Sequence, residues 1–149
     1  MKIRTASKFD LPELDRMILD YRQYSPIPSL RHAEDLGAFH TICAEIFAGR
    51  GQIWVAEKDS QLIGMLIAYI VPNLWAPNLL SLNELAYWVD PEHRGSSAGY
   101  RLLKEYKTYG DQCKAQGRID YYTISKMVNS PDLRYDKWGF EKVEEMWRS

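Results

Sequence analysis

The chain has 149 residues, a mass of 17.4 kDa and a formal net charge of −1, with 46% hydrophobic and 26% charged residues. This length fits one domain, and the composition is that of a globular protein and excludes global disorder. The near-neutral charge gives no general attraction to nucleic acid or to an anionic membrane, so neither is expected as a partner.

The chain also lacks the signals of export and membrane insertion. No apolar run approaches the ~20 residues that cross a bilayer, and the first residues have no apolar signal-peptide region. Cys43 and Cys113 are the only two cysteines, and they do not have the spacing of metal ligands. The sequence therefore predicts a single metal-free domain over residues 1–149 in the cytoplasm, with one disulfide as the alternative to two free thiols.

The predicted elements alternate between strands and helices. Asp10-Leu11-Pro12-Glu13 predicts a helix start, because the Asp side chain can accept free backbone N–H groups and Pro is tolerated there. In chain order the patterns predict a strand at Lys2–Ala6, a helix from Leu11 to Ser25, a helix from about Ala33 to Ala48, a hairpin of Gln52–Glu57 and Leu62–Val71, a loop at Pro72–Asn78, a strand at Leu79–Val89, a helix ending at Gln116-Gly117, a strand at Ile119–Ile124, a helical turn near Pro131–Trp138 and a strand at Phe140–Trp147. The order β-α-α-β-β-β-α-β-α-β predicts an α/β or α+β domain whose mixed central sheet is flanked by helices.

The most informative stretch is the strand-to-helix junction that follows Asp90-Pro91. Its turn, Arg94 to Gly99, consists mostly of small residues that expose backbone N–H groups at a helix start, an arrangement that suits a phosphate. Arg94 adds a full positive charge beside the turn. The stretch has neither the Lys-Ser/Thr ending of a P-loop nor the three-glycine dinucleotide pattern. A site for an anion and a tight connection built of small residues for packing both remain open.

Two motifs carry a resemblance to a known family. Val89 to Gly99, followed by Leu102-Leu103, resembles the coenzyme-binding motif of the GNAT superfamily of acetyl-CoA-dependent N-acetyltransferases, Arg/Gln-x-x-Gly-x-Gly/Ala. Asn129 and the later Tyr135-Asp136-Lys137-Trp138-Gly139-Phe140 resemble the family's Asn and its Tyr-Glu-Lys-x-Gly-Phe. The element order also agrees. The resemblance implies the GNAT fold and the direct transfer of acetyl from acetyl-CoA to a primary amine in a ternary complex.

The resemblance also implies a set of coenzyme-binding residues. Arg94 and the N–H groups of the turn would hold the pyrophosphate, and the N–H of Val89 or of a neighbour on its strand would face the thioester carbonyl. The latter role requires a local break in strand pairing. Asn129 would either bind the pantetheine arm or cap the helix that follows it. The implied residues are Trp88, Val89, Arg94, Gly95, Ser96, Ser97, Ala98, Gly99 and Asn129.

Two further residues would do the chemistry that the resemblance implies. Glu84, on the strand before the turn, would act as the base that deprotonates the amine; the alternative is a glutamate at a strand edge facing solvent. Tyr135 would protonate the departing thiolate, because a phenol with a pKa of ~10 can donate to a thiolate. The alternative for Tyr135 is a ring packed on the core.

The resemblance implies that the acetyl acceptor is an amine. The sequence does not indicate whether this amine belongs to a small molecule or to a protein. In the family the acceptor pocket involves the first two helices and the loop between them, which suggests residues 21–35 of this chain. Trp75 and Trp88 would line the other side. The candidates in the first group are Tyr21, Tyr24, His32, Glu34 and Asp35, each of which could instead be an ordinary core or surface residue.

This sequence departs from the family pattern in two places. Ser97 stands where a glycine is usual, and a serine would be strained if that position needs a positive φ. After Phe140 only nine residues follow, which suffices for one strand where the family usually has two. A neighbouring chain could supply the second strand, so a homodimer is a hypothesis. Both departures also motivate the alternative of a degenerate GNAT-fold protein that binds acyl-CoA or a partner protein without turnover.

Overall fold

The computed structural model describes residues 1–149 and contains one five-stranded sheet and three α-helices. The strands are β1 (Lys2–Thr5), β2 (Gly51–Lys58), β3 (Gln61–Pro72), β4 (Leu80–Val89) and β5 (Tyr121–Thr123), and the helices are α1 (Leu11–Gln23), α2 (Gly37–Phe47) and α3 (Ala98–Ala115). The strands follow one another in the sheet in sequence order, all antiparallel except the parallel pair β4–β5. The predicted class, a mixed sheet flanked by helices, is confirmed. No helix combines the length and apolar character needed to cross a membrane.

The two helix starts differ in detail from the prediction. The Asp10 side chain does not cap α1, because its carboxylate already accepts the Ser7 N–H at 2.8 Å and pairs with Arg4 at 2.8 and 2.9 Å. These contacts belong to a capping box on the short 3₁₀ turn that precedes α1. Helix α2 begins later than predicted, at Gly37, whose N–H donates to the Asp35 carboxylate at 2.8 Å.

The C-terminal segment is the main correction to the predicted fold. The strand expected at Phe140–Trp147 is wrong, because residues 140–149 form no regular element. Phe140, Val143 and Met146 recur every third residue, so in an extended strand they would fall on alternate faces and bury no single apolar face. The helical turn before them is a 3₁₀ turn, Tyr135–Trp138. Strand β5 therefore forms an edge of the sheet.

The two faces of the sheet carry two separate hydrophobic cores. Helix α3 covers one face with fully buried side chains, among them Leu102, Tyr106 and Cys113, which recur at helical spacing. Tyr109 is only half-buried and packs edge-on against Trp54 at 5.3 Å. Helices α1 and α2 cover the other face. The sheet thus holds the C-terminal end of β4 and the N-terminal end of α3 in fixed relative positions.

Strand β4 contains one irregularity that decides which residues share a face. Ala86 pairs with Ile67 and Glu84 pairs with Ala68, so Leu85 is an extra residue in β4, a β-bulge. Strict alternation would place Glu84 on the face of Trp88. The bulge shifts the alternation by one residue, and Glu84 therefore lines the same cavity as Tyr87 and Val89, on the α3 side.

The pairing between β4 and β5 is short. Only Ser81, Leu82 and Asn83 of β4 have partners in β5, after which the two strands separate. At the point of separation the buried Tyr106 hydroxyl lies within hydrogen-bonding distance of the Leu82 carbonyl (3.3 Å) and donates to the Thr123 carbonyl. One helix side chain thus places its hydroxyl donor between the two strands where the ladder ends.

A glycine in β3 lies directly behind the separated part of β4. A Cβ at Gly64 would lie 2.9 Å from the Trp88 carbonyl oxygen and 3.3 Å from side-chain atoms of Val89 and Leu102. Gly64→Ala should therefore lower the free energy of unfolding by about 2 kcal/mol, the usual cost of overpacking a core. Urea denaturation measures this change. The matched control is Gly95→Ala, whose Cβ would meet nothing within 4 Å; equal midpoints for the two variants would contradict the packing argument.

Candidate active site

A cavity of about 260 Å³ opens where β4 and β5 separate. Its walls come from β4, the turn before α3, the segment after β5 and the end of α1. Ten of the residues that the sequence singled out line it: Tyr21, Tyr24, Glu84, Trp88, Val89, Arg94, Ser96, Gly99, Asn129 and Tyr135. Residues from three segments far apart in sequence are therefore brought to one site.

Some predicted site residues lie elsewhere. Gly95, Ser97 and Ala98 do not line the cavity; Gly95 and Ser97 belong to the turn beside it, and the Ala98 methyl is fully buried in the core. Ser97 has a φ of −79°, so a serine is not strained at the position where a glycine is usual in the family. Trp75 is 89% exposed and does not reach the cavity.

The acceptor side is formed by fewer residues than the sequence suggested. Tyr21 and Tyr24, at the end of α1, line the cavity, whereas His32, Glu34 and Asp35 do not. Sequence reasoning missed several lining residues between β5 and Tyr135, where the chain has no regular structure and Asn129 is the one residue that belongs to a motif. These are Ser125, Met127, Ser130, Pro131 and Leu133.

Glu84 is one of three buried polar or charged residues in the chain, with 8% of its surface exposed. The alternative of a solvent-facing glutamate is therefore wrong. The Ser125 hydroxyl donates to its carboxylate at 3.2 Å. Burial raises the pKa of Glu84 from 4.5 to about 7, although the hydrogen bonds from Ser125 oppose the shift. A carboxylate with this pKa can take up and release a proton near neutral pH.

Tyr135 begins the 3₁₀ turn after β5 and lines the cavity while its ring packs edge-on against Phe140, with 6.1 Å between the ring centroids. The position of Tyr135 is thus compatible both with a ring packed on the core and with a phenol that donates a proton in the cavity. Burial, together with the negative charge of Glu84, raises the pKa of Tyr135 above its usual range. The phenol is therefore protonated at neutral pH and holds a proton that it can donate.

The turn before α3 has the features of an anion site. Gly95, Ser97, Gly99 and Tyr100 have backbone N–H groups without an acceptor in the chain. The Arg94 guanidinium donates through Nε to the Val89 carbonyl at 2.9 Å and lies 4.7 Å above the Trp88 ring. Free N–H groups, a helix N-terminus and a cation thus meet at one end of the cavity.

The direction of the Val89 amide follows from the geometry of β4. The Asp90 N–H donates to the Ile63 carbonyl of β3 at 2.8 Å, so the amide of the preceding residue points to the opposite edge of the strand. The bond from Arg94 to the Val89 carbonyl lies on that same open edge. Because β5 has separated from β4 there, the Val89 N–H faces the cavity.

Asn129 fixes one wall of the cavity to another. Its side-chain amide donates to the Tyr24 carbonyl at 2.7 Å. The alternative that it caps a following helix is wrong, since the next helical turn begins at Tyr135 and is preceded by Arg134. No group of three His, Cys, Asp or Glu side chains lies close enough together to hold a metal ion.

The raised pKa of Glu84 has a consequence for stability. Its carboxyl ionises near pH 7 in the folded protein and near pH 4.5 in the unfolded chain. The native state therefore gains stability from this group fully below pH 4.5, where it is protonated in both states, and loses that contribution as the pH rises through about 7. Glu84→Gln should therefore raise the melting temperature by about 3–6 °C at pH 8 and change it little at pH 5. Differential scanning calorimetry at both pH values tests this, with the exposed Glu92→Gln as control. An equal effect of Glu84→Gln at both pH values would contradict it.

Comparisons with known proteins agree with this geometry. The sequence model of the Acetyltransferase (GNAT) family matches residues 14–140. No curated protein matches the chain. Among solved structures it is similar to a transcriptional regulator from Bacillus halodurans C-125, at 18% identity and a TM-score of 0.69, over 99% of this chain and 97% of that one.

Two structures described as acetyltransferases share the fold as well. One is a possible acetyltransferase from Clostridium difficile 630, at 15% identity and a TM-score of 0.69, over 99% of this chain and 95% of that one. The other is an aminoglycoside acetyltransferase from an uncultured soil metagenomic sample, at 15% identity and a TM-score of 0.63, with the same coverage. The resemblance seen in the sequence is confirmed, and the chain belongs to the GNAT family of acetyltransferases.

Proposed function

We propose that the protein is an acetyl-CoA-dependent N-acetyltransferase that moves the acetyl group directly to a primary amine. The observation that carries the proposal is the single cavity lined by Glu84, Tyr135, Arg94 and the edge of β4 at Val89. A base, an acid, a cation for phosphate and an amide for a carbonyl oxygen are the groups that this reaction needs.

The coenzyme fits the end of the cavity formed by the turn. Arg94 and the free N–H groups of Gly95, Ser97 and Gly99 are suited to the pyrophosphate. The pantetheine arm would then run between the separated strands, past Asn129. The Val89 N–H would donate to the thioester carbonyl and stabilise the negative charge that develops on its oxygen.

The chemistry is a direct displacement in which no covalent enzyme intermediate forms. The amine nitrogen attacks the thioester carbonyl carbon, a C–N bond forms and the C–S bond breaks. Glu84 accepts the proton that the cationic amine loses before attack, directly or through water, and its pKa of about 7 suits this task. Tyr135, which is protonated at neutral pH, donates a proton to the departing thiolate and is reprotonated by the second proton that the nitrogen loses as the amide forms.

The acceptor is a primary amine of a small molecule or a protein. Tyr21 and Tyr24 give its side of the cavity aromatic faces, and Glu84 is the single carboxylate in the lining. Such surroundings favour a cationic amine, which aromatic faces and a carboxylate both attract. The cavity carries no large charged surface that would require a highly charged acceptor.

A family member that binds acyl-CoA or a partner protein without turnover is the second candidate. One of the two departures from the family pattern that suggested this candidate was a serine at position 97. The structure weakens that argument, because Ser97 has an ordinary negative φ. Glu84 and Tyr135 also line the same cavity, which a pure binding role does not require. We therefore favour turnover.

Two further proposals concern the state of the protein. Both cysteines are free and buried, which supports a reducing compartment such as the cytoplasm. Val143, Met146 and Trp147 are 81%, 92% and 85% exposed, and β5 forms an edge of the sheet, which together support a homodimer that covers them. Light scattering at micromolar concentration should give twice 17.4 kDa; the monomer mass would contradict the dimer.

Calorimetric titration with acetyl-CoA, and with ATP and NAD as controls, tests the coenzyme site. Acetyl-CoA should bind and the controls should not. Arg94→Ala should weaken acetyl-CoA binding about tenfold or more, because it removes the cation at the pyrophosphate. The matched control is Arg101→Ala, which removes an equal charge from the outer face of α3, where Arg101 contacts the Met1 carbonyl. Unchanged affinity in Arg94→Ala would contradict the pyrophosphate assignment.

Release of free thiol from acetyl-CoA in the presence of a panel of primary amines tests turnover. Tyr135→Phe should lower kcat about 100-fold, within the range of general acid catalysis, and change coenzyme affinity by less than about threefold. Tyr121→Phe, which alters a phenol outside the cavity, serves as control. Equal losses in kcat and affinity would place Tyr135 in a binding or packing role.

A further inference from the structure

We propose that Asp90, together with Arg16, positions Arg94 for coenzyme binding by fixing the indole ring of Trp88. The inference rests on the proposed function, since it concerns how the same site meets the pyrophosphate. In the sequence, Asp90-Pro91 directly follows the predicted strand Leu79–Val89 and is assigned no role in the site. The contacts of Asp90 in the fold give it a second role.

Asp90 is a buried carboxylate with two partners that fix it. It is 8% exposed, and its Oδ1 accepts the Trp88 Nε1–H at 2.8 Å. Arg16 of α1 donates to both carboxylate oxygens, at 3.3 and 3.2 Å, and to the Leu62 carbonyl at 2.9 Å. The backbone N–H of Asp90 is held by β3. A buried charge of this kind is tolerated because it is paired and hydrogen-bonded.

Trp88 connects the fixed Asp90 carboxylate to Arg94 in the cavity. Its indole is 4% exposed, and it carries the Arg94 guanidinium on its face at 4.7 Å. The Tyr24 ring packs against the same indole at 5.2 Å and also lies 5.4 Å from the Arg94 guanidinium. The plane of the indole therefore sets where the guanidinium rests, and the hydrogen bond to Asp90 sets the plane of the indole.

The consequences of removing Asp90 can be separated from a simple charge effect. Without Asp90 the buried Trp88 Nε1–H loses its acceptor and Arg16 loses its buried partner, so the indole is free to turn. Arg94 then loses the aromatic face that orients it. Loss of a negative charge near an anionic coenzyme should by itself strengthen binding. Weaker binding therefore indicates positioning, because the two effects have opposite signs.

The experiment is a double-mutant cycle in the full-length chain, read out by calorimetric affinity for CoA. Asp90→Ala should weaken binding about fivefold to tenfold in the parent protein, and less than about twofold in the Arg94→Ala background. Trp88→Phe, which keeps an aromatic ring but removes the N–H, should show the same coupling to Arg94 and serves if Asp90→Ala does not fold. Glu92→Ala removes an exposed acidic side chain from the same turn and should leave the affinity unchanged or tighter.

The outcomes distinguish this inference from the proposed function. If the parent protein does not bind CoA, the proposed function and this inference both fail. If it binds, but Asp90→Ala weakens binding equally with and without Arg94, Asp90 acts through general stability and the inference alone is wrong. Binding that tightens in Asp90→Ala would also overturn it.

Discussion

The separation of β4 from β5 after three paired residues is the constraint on which the site depends. A continuous ladder would close the cavity and occupy the backbone amide of Val89. The Tyr106 hydroxyl, buried under α3, lies between the Leu82 and Thr123 carbonyls where the ladder ends. The Thr123 carbonyl therefore keeps a donor in the core where the sheet opens.

The two ends of the cavity have opposite electrostatic character. Glu84 lies in surroundings that disfavour its charge, which raises its pKa to about 7. The Arg94 guanidinium lies at the other end, against the rings of Trp88 and Tyr24 and near free backbone N–H groups. Glu84 can thus accept a proton at one end of the cavity while Arg94 faces an anion at the other. This separation suits a reaction in which the coenzyme is anionic and the amine substrate must lose a proton.

The sequence predicted the parts of the site that a local pattern or a family motif marks, including Asn129 and Tyr135. Arg94 and Gly99 could be identified because a strand, a turn of small residues and a helix follow one another directly. The bond between Ser125 and Glu84 joins residues 41 apart, and that between Arg16 and Asp90 joins residues 74 apart, so no local pattern indicates either. The bulge at Leu85 depends on pairing with β3, and the strand expected after Phe140 failed because its apolar spacing matches no single face.

Backbone NMR of the ¹⁵N-labelled protein titrated with acetyl-CoA locates the coenzyme site residue by residue. The largest shifts should fall on the amides of Val89 and of Gly95, Ser97, Gly99 and Tyr100, because these free N–H groups gain acceptors. Amides of β1, on the far edge of the sheet, should stay unchanged. Shifts that avoid the open edge of β4, or no shifts at saturating acetyl-CoA, would contradict the assignment of this cavity as the acetyl-CoA site.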